Sequence, residues 1–204
     1  LFAFTFSLLE LFFQARPGLS PAHYRRLGLV TSVLAGAYAR ALPGQGVAEE
    51  DAELIGRAAM FCDVGLLGVP DAVVEQGPDQ EGADGEIYYR HTALGHALFA
   101  AGVAGGEALA RYGAEIAYWH HKNYDGTGIP DAETSEPVPV SAQLTHAALG
   151  LLSYLEYFQG TSDCLSRSLR ALAGDVGRTI SQEMYTLIQG AQEALSQKLS
   201  GLNG

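Results

Sequence analysis

Apolar residues return every three or four positions through most of this chain, and that spacing leaves few options other than helix. The clearest run is "LSPAHYRRLGLVTSVLAGAYARALPG". Ser20 is placed to cap it and Pro21 suits the first helical position. Leu27, Val30, Leu34, Tyr38 and Ala41 then form one stripe, which Pro43-Gly44 ends, and His23 shares that inward face. "VAEEDAELIGRAAMFCD" reads as a second helix, acidic in its first turn as the helix dipole prefers, with Leu54, Ala58 and Phe61 inward. "GEIYYRHTALGHALFAAG", "GEALARYGAEIAYWHHKN", "VSAQLTHAALGLLSYLEYF" and "CLSRSLRALAG" continue the pattern, and Met184, Leu187, Ile188, Ala191, Leu195 and Leu199 mark a closing amphipathic helix weakened by Gly190. Only "FAFTFS" hints at strand alternation, and there is no internal repeat. The expectation is an all-α fold: one helical bundle spanning 1–204, with its core over about 18–190.

Charge and cysteine content narrow the function. A formal net charge of -11, from 12 Lys+Arg against 23 Asp+Glu, speaks against broad DNA or RNA binding, which needs cations to neutralise phosphates. Cys62 and Cys164 alone make no disulfide framework, so a reducing cytoplasm is expected. The apolar opening "LFAFTFSLLE" reaches Glu10 too soon for a membrane span and lacks the basic start of a signal peptide. Its apolar character points to an N-terminal helix over 1–16 that packs against a neighbouring domain or a twin subunit, in a piece of something longer.

Six histidines occur, at 23, 91, 96, 120, 121 and 146. His23, His91, His120 and His121, together with Asp63, fall on or beside inward faces at the ends of different helices. Imidazole and carboxylate together suit Mn, Fe, Ni or Zn, and a bundle can converge them on one point. Neighbouring His120 and His121 point about 100° apart on a continuing helix, so both reach one centre only where the helix stops. "KNYDGTG" supplies that stop, although Asp-Gly-Thr-Gly by itself is ordinary turn chemistry. His96, off the face of His91, reads as structural, while His146, one turn before Leu149, is a lesser ligand candidate.

"HHKNYDGTGIP" resembles the HHE-x-x-DG-x-GYP signature of the HD-GYP family, and "FCDVGLLGVPDAVV" resembles that family's HD-x-GK-x-x-(I/V)-P-D stretch. "RHTALG", "AHYRRLGLVTSVLA" and "VPVSAQLTHAALGLL" are similar to three further family segments, so the likeness runs over roughly residues 5 to 190. It implies an HD-domain-like helical bundle that hydrolyses cyclic di-GMP with two or three metal ions. Carried over position by position, it implies a metal set of His23, Cys62, Asp63, His91, His120 and His121. Asp63 is the shared catalytic carboxylate, and Asp125, Gly126, Gly128 and Pro130 are in the substrate-binding loop.

The likeness is uneven. Cys62 stands for the His of the HD pair, Leu149 for a late metal-binding Asp, and Leu66 for the Lys of GK. Gln76 and Gln143 replace further cations, and Ile129 replaces the Tyr of GYP. One ion's ligands (Asp63, His91, His120, His121) are complete, while the other's are not, since leucine cannot ligate and cysteine does so only when deprotonated. The expectation is a divalent transition metal, Mn, Fe or similar, in one copy or none. Catalysis is then weak or lost, with a regulatory or interaction role among other signalling domains or proteins, or as a homodimer. The alternative is an active phosphodiesterase for cyclic di-GMP or another phosphate ester, with Cys62 assisting a second ion. Arg25, Arg26, Arg90 and Lys122 are candidate replacement cations, each expected at the surface.

Overall fold

The structure is a computed structural model that describes residues 11–12, 14–16, 19–78, 82–131 and 137–201. The strand-like "FAFTFS" and most of the N-terminal stretch lie outside the described residues. Ten α-helices make up the fold, with one two-stranded hairpin among the described residues: α1 Pro21–Ala41, α2 Ala52–Ala59, α3 Asp71–Gln76, α4 Ala83–Tyr89, α5 His91–Ala104, α6 Ala108–Trp119, β1 His121–Lys122, β2 Gly128–Ile129, α7 Val140–Tyr157, α8 Cys164–Leu172, α9 Gln182–Gly190 and α10 Gln192–Ser200. None of the helices among the described residues is long and apolar enough to cross a membrane.

Helix α1 starts as the sequence predicts. The Ser20 hydroxyl accepts from the His23 amide at 3.3 Å, and Pro21 opens the first turn. Leu27, Val30 and Leu34 are fully buried against Ile55, Ile116, Leu144, Leu151 and Leu152, which form the centre of the core. Each such side chain contributes about 1.5–3 kcal/mol from burial. Helix α1 crosses α2 where two glycines meet: a Cβ at Gly56 would lie 2.4 Å from the Gly28 carbonyl oxygen. The contact is backbone on backbone, and it brings the end of α2 close to the start of α1.

Three predicted helices are broken. The acidic start at 49–51 is a 3-10 turn, and α2 ends at Ala59, so Asp63 lies in the turn beyond it. A second 3-10 turn, Val64–Gly68, fits against α5 because Gly65 has no side chain: a Cβ there would meet the His91 carbonyl oxygen at 1.9 Å. Arg16 fastens this turn by donating to the carbonyls of Leu66 and Val69, at 2.7 Å in each case, and by pairing with Asp71. The run 83–104 divides at Arg90, so His91 opens α5 instead of sitting mid-helix. The closing helix divides into α9 and α10 at Gly190-Ala191.

Candidate metal centre

The histidine pair answers to a change of backbone direction. Helix α6 ends at Trp119, His120 caps it, and His121 opens strand β1. The two rings therefore lie side by side, with centroids 4.0 Å apart, instead of diverging. The hairpin that follows pairs His121 with Ile129 and Lys122 with Gly128. Gly128 has φ +86°, and a Cβ there would meet the His121 carbonyl oxygen at 2.2 Å, so the pairing requires glycine.

Asp63 Oδ1 lies 3.2 Å from both His91 Nε2 and His120 Nε2, and those nitrogens are 3.4 Å apart. With His121, the four residues place one ligand atom each within 4.8 Å of one another. Their tautomers follow from the opposite sides of the rings. His91 Nδ1 donates to the Tyr88 carbonyl at 2.8 Å, and His120 Nδ1 donates to the Ile116 carbonyl at 3.0 Å. Each neutral ring therefore turns a lone pair on Nε2 toward the carboxylate and toward its neighbour. Three lone-pair atoms so close together repel unless a cation, either a proton or a metal ion, sits among them.

His121 Nε2 is buried and has no hydrogen-bond partner. Burial first, then the neighbouring His120, pushes its pKa well down, which keeps the ring neutral as ligation requires. An orphaned imidazole nitrogen, two backbone-anchored rings and one carboxylate fit a divalent transition metal in both donor type and outer support. Burial opposes charge on Asp63, but hydrogen bonds and charge from His120 and His91 in their protonated form outweigh it and hold the carboxyl well below its ordinary range.

The other side of Asp63 is different in kind. Oδ2 accepts a 2.7 Å hydrogen bond from the Tyr24 hydroxyl. Cys62 is fully buried in the core, and burial, then Asp63, pushes its thiol well up. Leu66 packs with Val69 and Val73, and Leu149 packs on the main core. His23 lies apart from the four, with its Nδ1 paired at 2.9 Å to Glu156 in a half-exposed position. Of the six metal candidates, the structure thus brings four together and leaves His23 and Cys62 out of the cluster. Tyr24 was missed because an aromatic residue next to His23 in an apolar stripe reads as core; only its hydroxyl, reaching Asp63, sets it apart.

The remaining candidates have local duties. Asp125 accepts from Thr127 N and Oγ1, closing the turn, and its own amide donates to the Arg178 carbonyl. Gly126 and Gly128 supply positive φ, and the Pro130 carbonyl accepts from Lys122 Nζ at 2.8 Å. The loop is thus braced on the 178–179 segment. His96 Nδ1 meets the Ala114 carbonyl, and His146 Nδ1 donates to the His120 carbonyl at 2.7 Å, so His146 supports the first ring's backbone from behind. Gln76 bonds within its own helix, and Gln143 donates to the Val138 carbonyl. Arg25 and Arg90 are exposed and Arg26 is half-buried. Lys122, expected at the surface, is instead buried at 9% exposure, its ammonium held by the Pro130 carbonyl.

Residues 17–159 match the family model for the HD domain. Among curated proteins, the chain is 27% identical over 135 residues to a 3'3'-cGAMP-specific phosphodiesterase of Vibrio cholerae, covering 66% of this chain and 24% of that protein. It is 30% identical over 144 residues to a cyclic di-GMP phosphodiesterase response regulator of Xanthomonas campestris, covering 71% of this chain and 35% of that protein. A cyclic di-GMP phosphodiesterase of Thermotoga maritima is 29% identical over 91 residues, covering 45% of this chain and 24% of that protein. The chain thus spans about a quarter to a third of the length of the relatives it matches.

Proposed function

The chain belongs to the HD domain family, and from that premise we propose that it is a metal-dependent phosphohydrolase domain of cyclic di-GMP signalling, a single domain over 1–204, whose catalysis is weak or lost. It holds one divalent ion, Mn, Fe or similar, well and a second badly, and serves a regulatory or interaction role with other signalling domains or with a second copy. The curated relatives, named for cyclic di-GMP or 3'3'-cGAMP, supply the substrate class. The observation that carries the reading is the asymmetry of one carboxylate. Asp63 Oδ1 faces His91 and His120 in a ligand cluster that includes His121, whereas Oδ2 accepts from the Tyr24 phenol and the neighbouring Cys62 is buried in the core.

A divalent ion bound there supplies Lewis-acid polarisation of a phosphoryl oxygen. The chain's own residues do the rest. His91 and His120 keep their Nδ1 protons on carbonyls and so present Nε2 inward, and His121 stays neutral. Tyr24 occupies the carboxylate oxygen that a companion ion would need. Cys62 is buried with its thiol protonated, which disfavours the alternative of a thiolate-held second ion. Leu66 and Gln76 replace cations that the family resemblance implies for phosphate, and each such transition-state contact is worth about 3 kcal/mol.

The test is metal analysis of the purified protein followed by a cyclic di-GMP hydrolysis assay with added Mn or Fe. Bound metal with little or no turnover is the expected result. Turnover at ordinary enzyme rates that Asp63→Ala abolishes would overturn the lapsed-site reading.

A further inference from the structure

Behind the histidine pair lies a cavity of about 190 Å³, walled by Lys122, Tyr124, Gln143, His146, Thr179 and Ser181 among others. Its charge is out of keeping with the chain. The protein carries 23 acidic residues against 12 basic ones, yet among the described residues no carboxylate lines this space and a lysine does. Lys122 is 9% exposed. Its ammonium has three donors, one of which goes to the Pro130 carbonyl, and among the described residues no carboxylate pairs with it. A buried charge is costly unless it is paired, so a lysine charge that no described carboxylate matches, beside this cavity, calls for an anion.

One more feature points the same way. Ser181, also in the cavity wall, caps nine-residue helix α9 by accepting from the Met184 amide, which sets the positive end of that helix at the cavity. We propose that this cavity is a binding site for a small oxyanion of the phosphate or carboxylate class, anchored by Lys122 and separate from the metal centre. The volume suits a single such group and not a dinucleotide.

The experiment is a thermal-unfolding titration of the full chain with sodium phosphate and, separately, sodium acetate, against sodium chloride at matched ionic strength. Wild type and Asp63→Asn, which impairs the metal centre, both gain several degrees in Tm from phosphate, acetate or both, and the arm that responds identifies the oxyanion. In Lys122→Met, which keeps the buried stem without the charge, the gain disappears and affinity measured by calorimetry falls at least tenfold; Lys122→Arg retains part of it. Gains equal to those from chloride, or gains undiminished in Lys122→Met, overturn the proposal. Loss of the response in Asp63→Asn alone assigns the anion to the metal centre and also overturns it. If Lys122→Met does not fold, Gln143→Glu, which puts a carboxylate into the cavity, must abolish the response in its place, and an unchanged response there sinks the idea.

Discussion

The two oxygens of Asp63 face two different kinds of surroundings. On the Oδ1 side, His91, His120 and His121 come from the start of one helix, the end of another and the first residue of a strand, and each ring has a reason for its orientation. On the Oδ2 side the Tyr24 hydroxyl donates to the carboxylate and Cys62 is buried in the main core, while Leu66 and Leu149 pack in the two apolar clusters. The first side stays polar and leaves the buried His121 Nε2 unsatisfied, a desolvation cost that a bound cation would offset. The second side has no such debt. One carboxylate thus joins a cluster of possible metal ligands on one oxygen and a core tyrosine on the other.

The largest effect should come from rebuilding the packed side. Leu66→Lys with Leu149→Asp should raise cyclic di-GMP hydrolysis on the order of 10⁴-fold if each restored contact contributes about 3 kcal/mol. The same double variant should unfold at a lower temperature, because it places polar groups among Val69, Val73 and the main core. No gain in rate would mean that those two positions are not what limits the site.

On the polar side, His120→Ala should weaken metal affinity by about 100-fold or more, since even the outer partners of ligands are worth roughly 10–100-fold. Competition with a chelator measures this. Affinity that is unchanged would dissolve the contrast between the two sides.

Tyr24→Phe tests the boundary between the two. It removes a hydrogen bond to a carboxylate and should cost about 1.5–3 kcal/mol in denaturant unfolding of the metal-free protein. It should also free Oδ2 and raise the uptake of a second ion. A variant as stable as wild type, with the same metal count, would show that the phenol does not guard that oxygen.

The smallest effect is in pH. His121 and His146 both have depressed pKa values, chiefly from burial, so the unfolded chain binds more protons than the folded one below about pH 6.5. Metal-free protein should therefore lose stability as pH falls through that range, and His121→Asn should flatten the slope. Asp63 works in the same direction lower down: its depressed carboxyl stabilises the fold above about pH 4, and that contribution is lost as pH falls through its folded value. A stability profile that is level between pH 7 and 5 would contradict the neutral, buried state of His121.

Much of this was legible in the chain. The stripe Leu27, Val30, Leu34 gave α1 with its cap, and the argument that adjacent imidazoles need a helix end matches the break after Trp119. What escaped depended on contacts distant in sequence. Helix α5 begins at His91 where Gly65 packs against its first turn, a contact that no local pattern encodes. The roles of Tyr24 and Lys122 hang on single polar atoms at the ends of long side chains, reaching Asp63 and Pro130, so residue type alone did not reveal the first and misplaced the second.

The count of tightly bound metal ions per chain tests the asymmetry most directly. Protein loaded with excess Mn, desalted and analysed by elemental mass spectrometry should retain about one ion, and Asp63→Ala none. Two ions retained in wild type, or one that survives the loss of Asp63, would contradict the account.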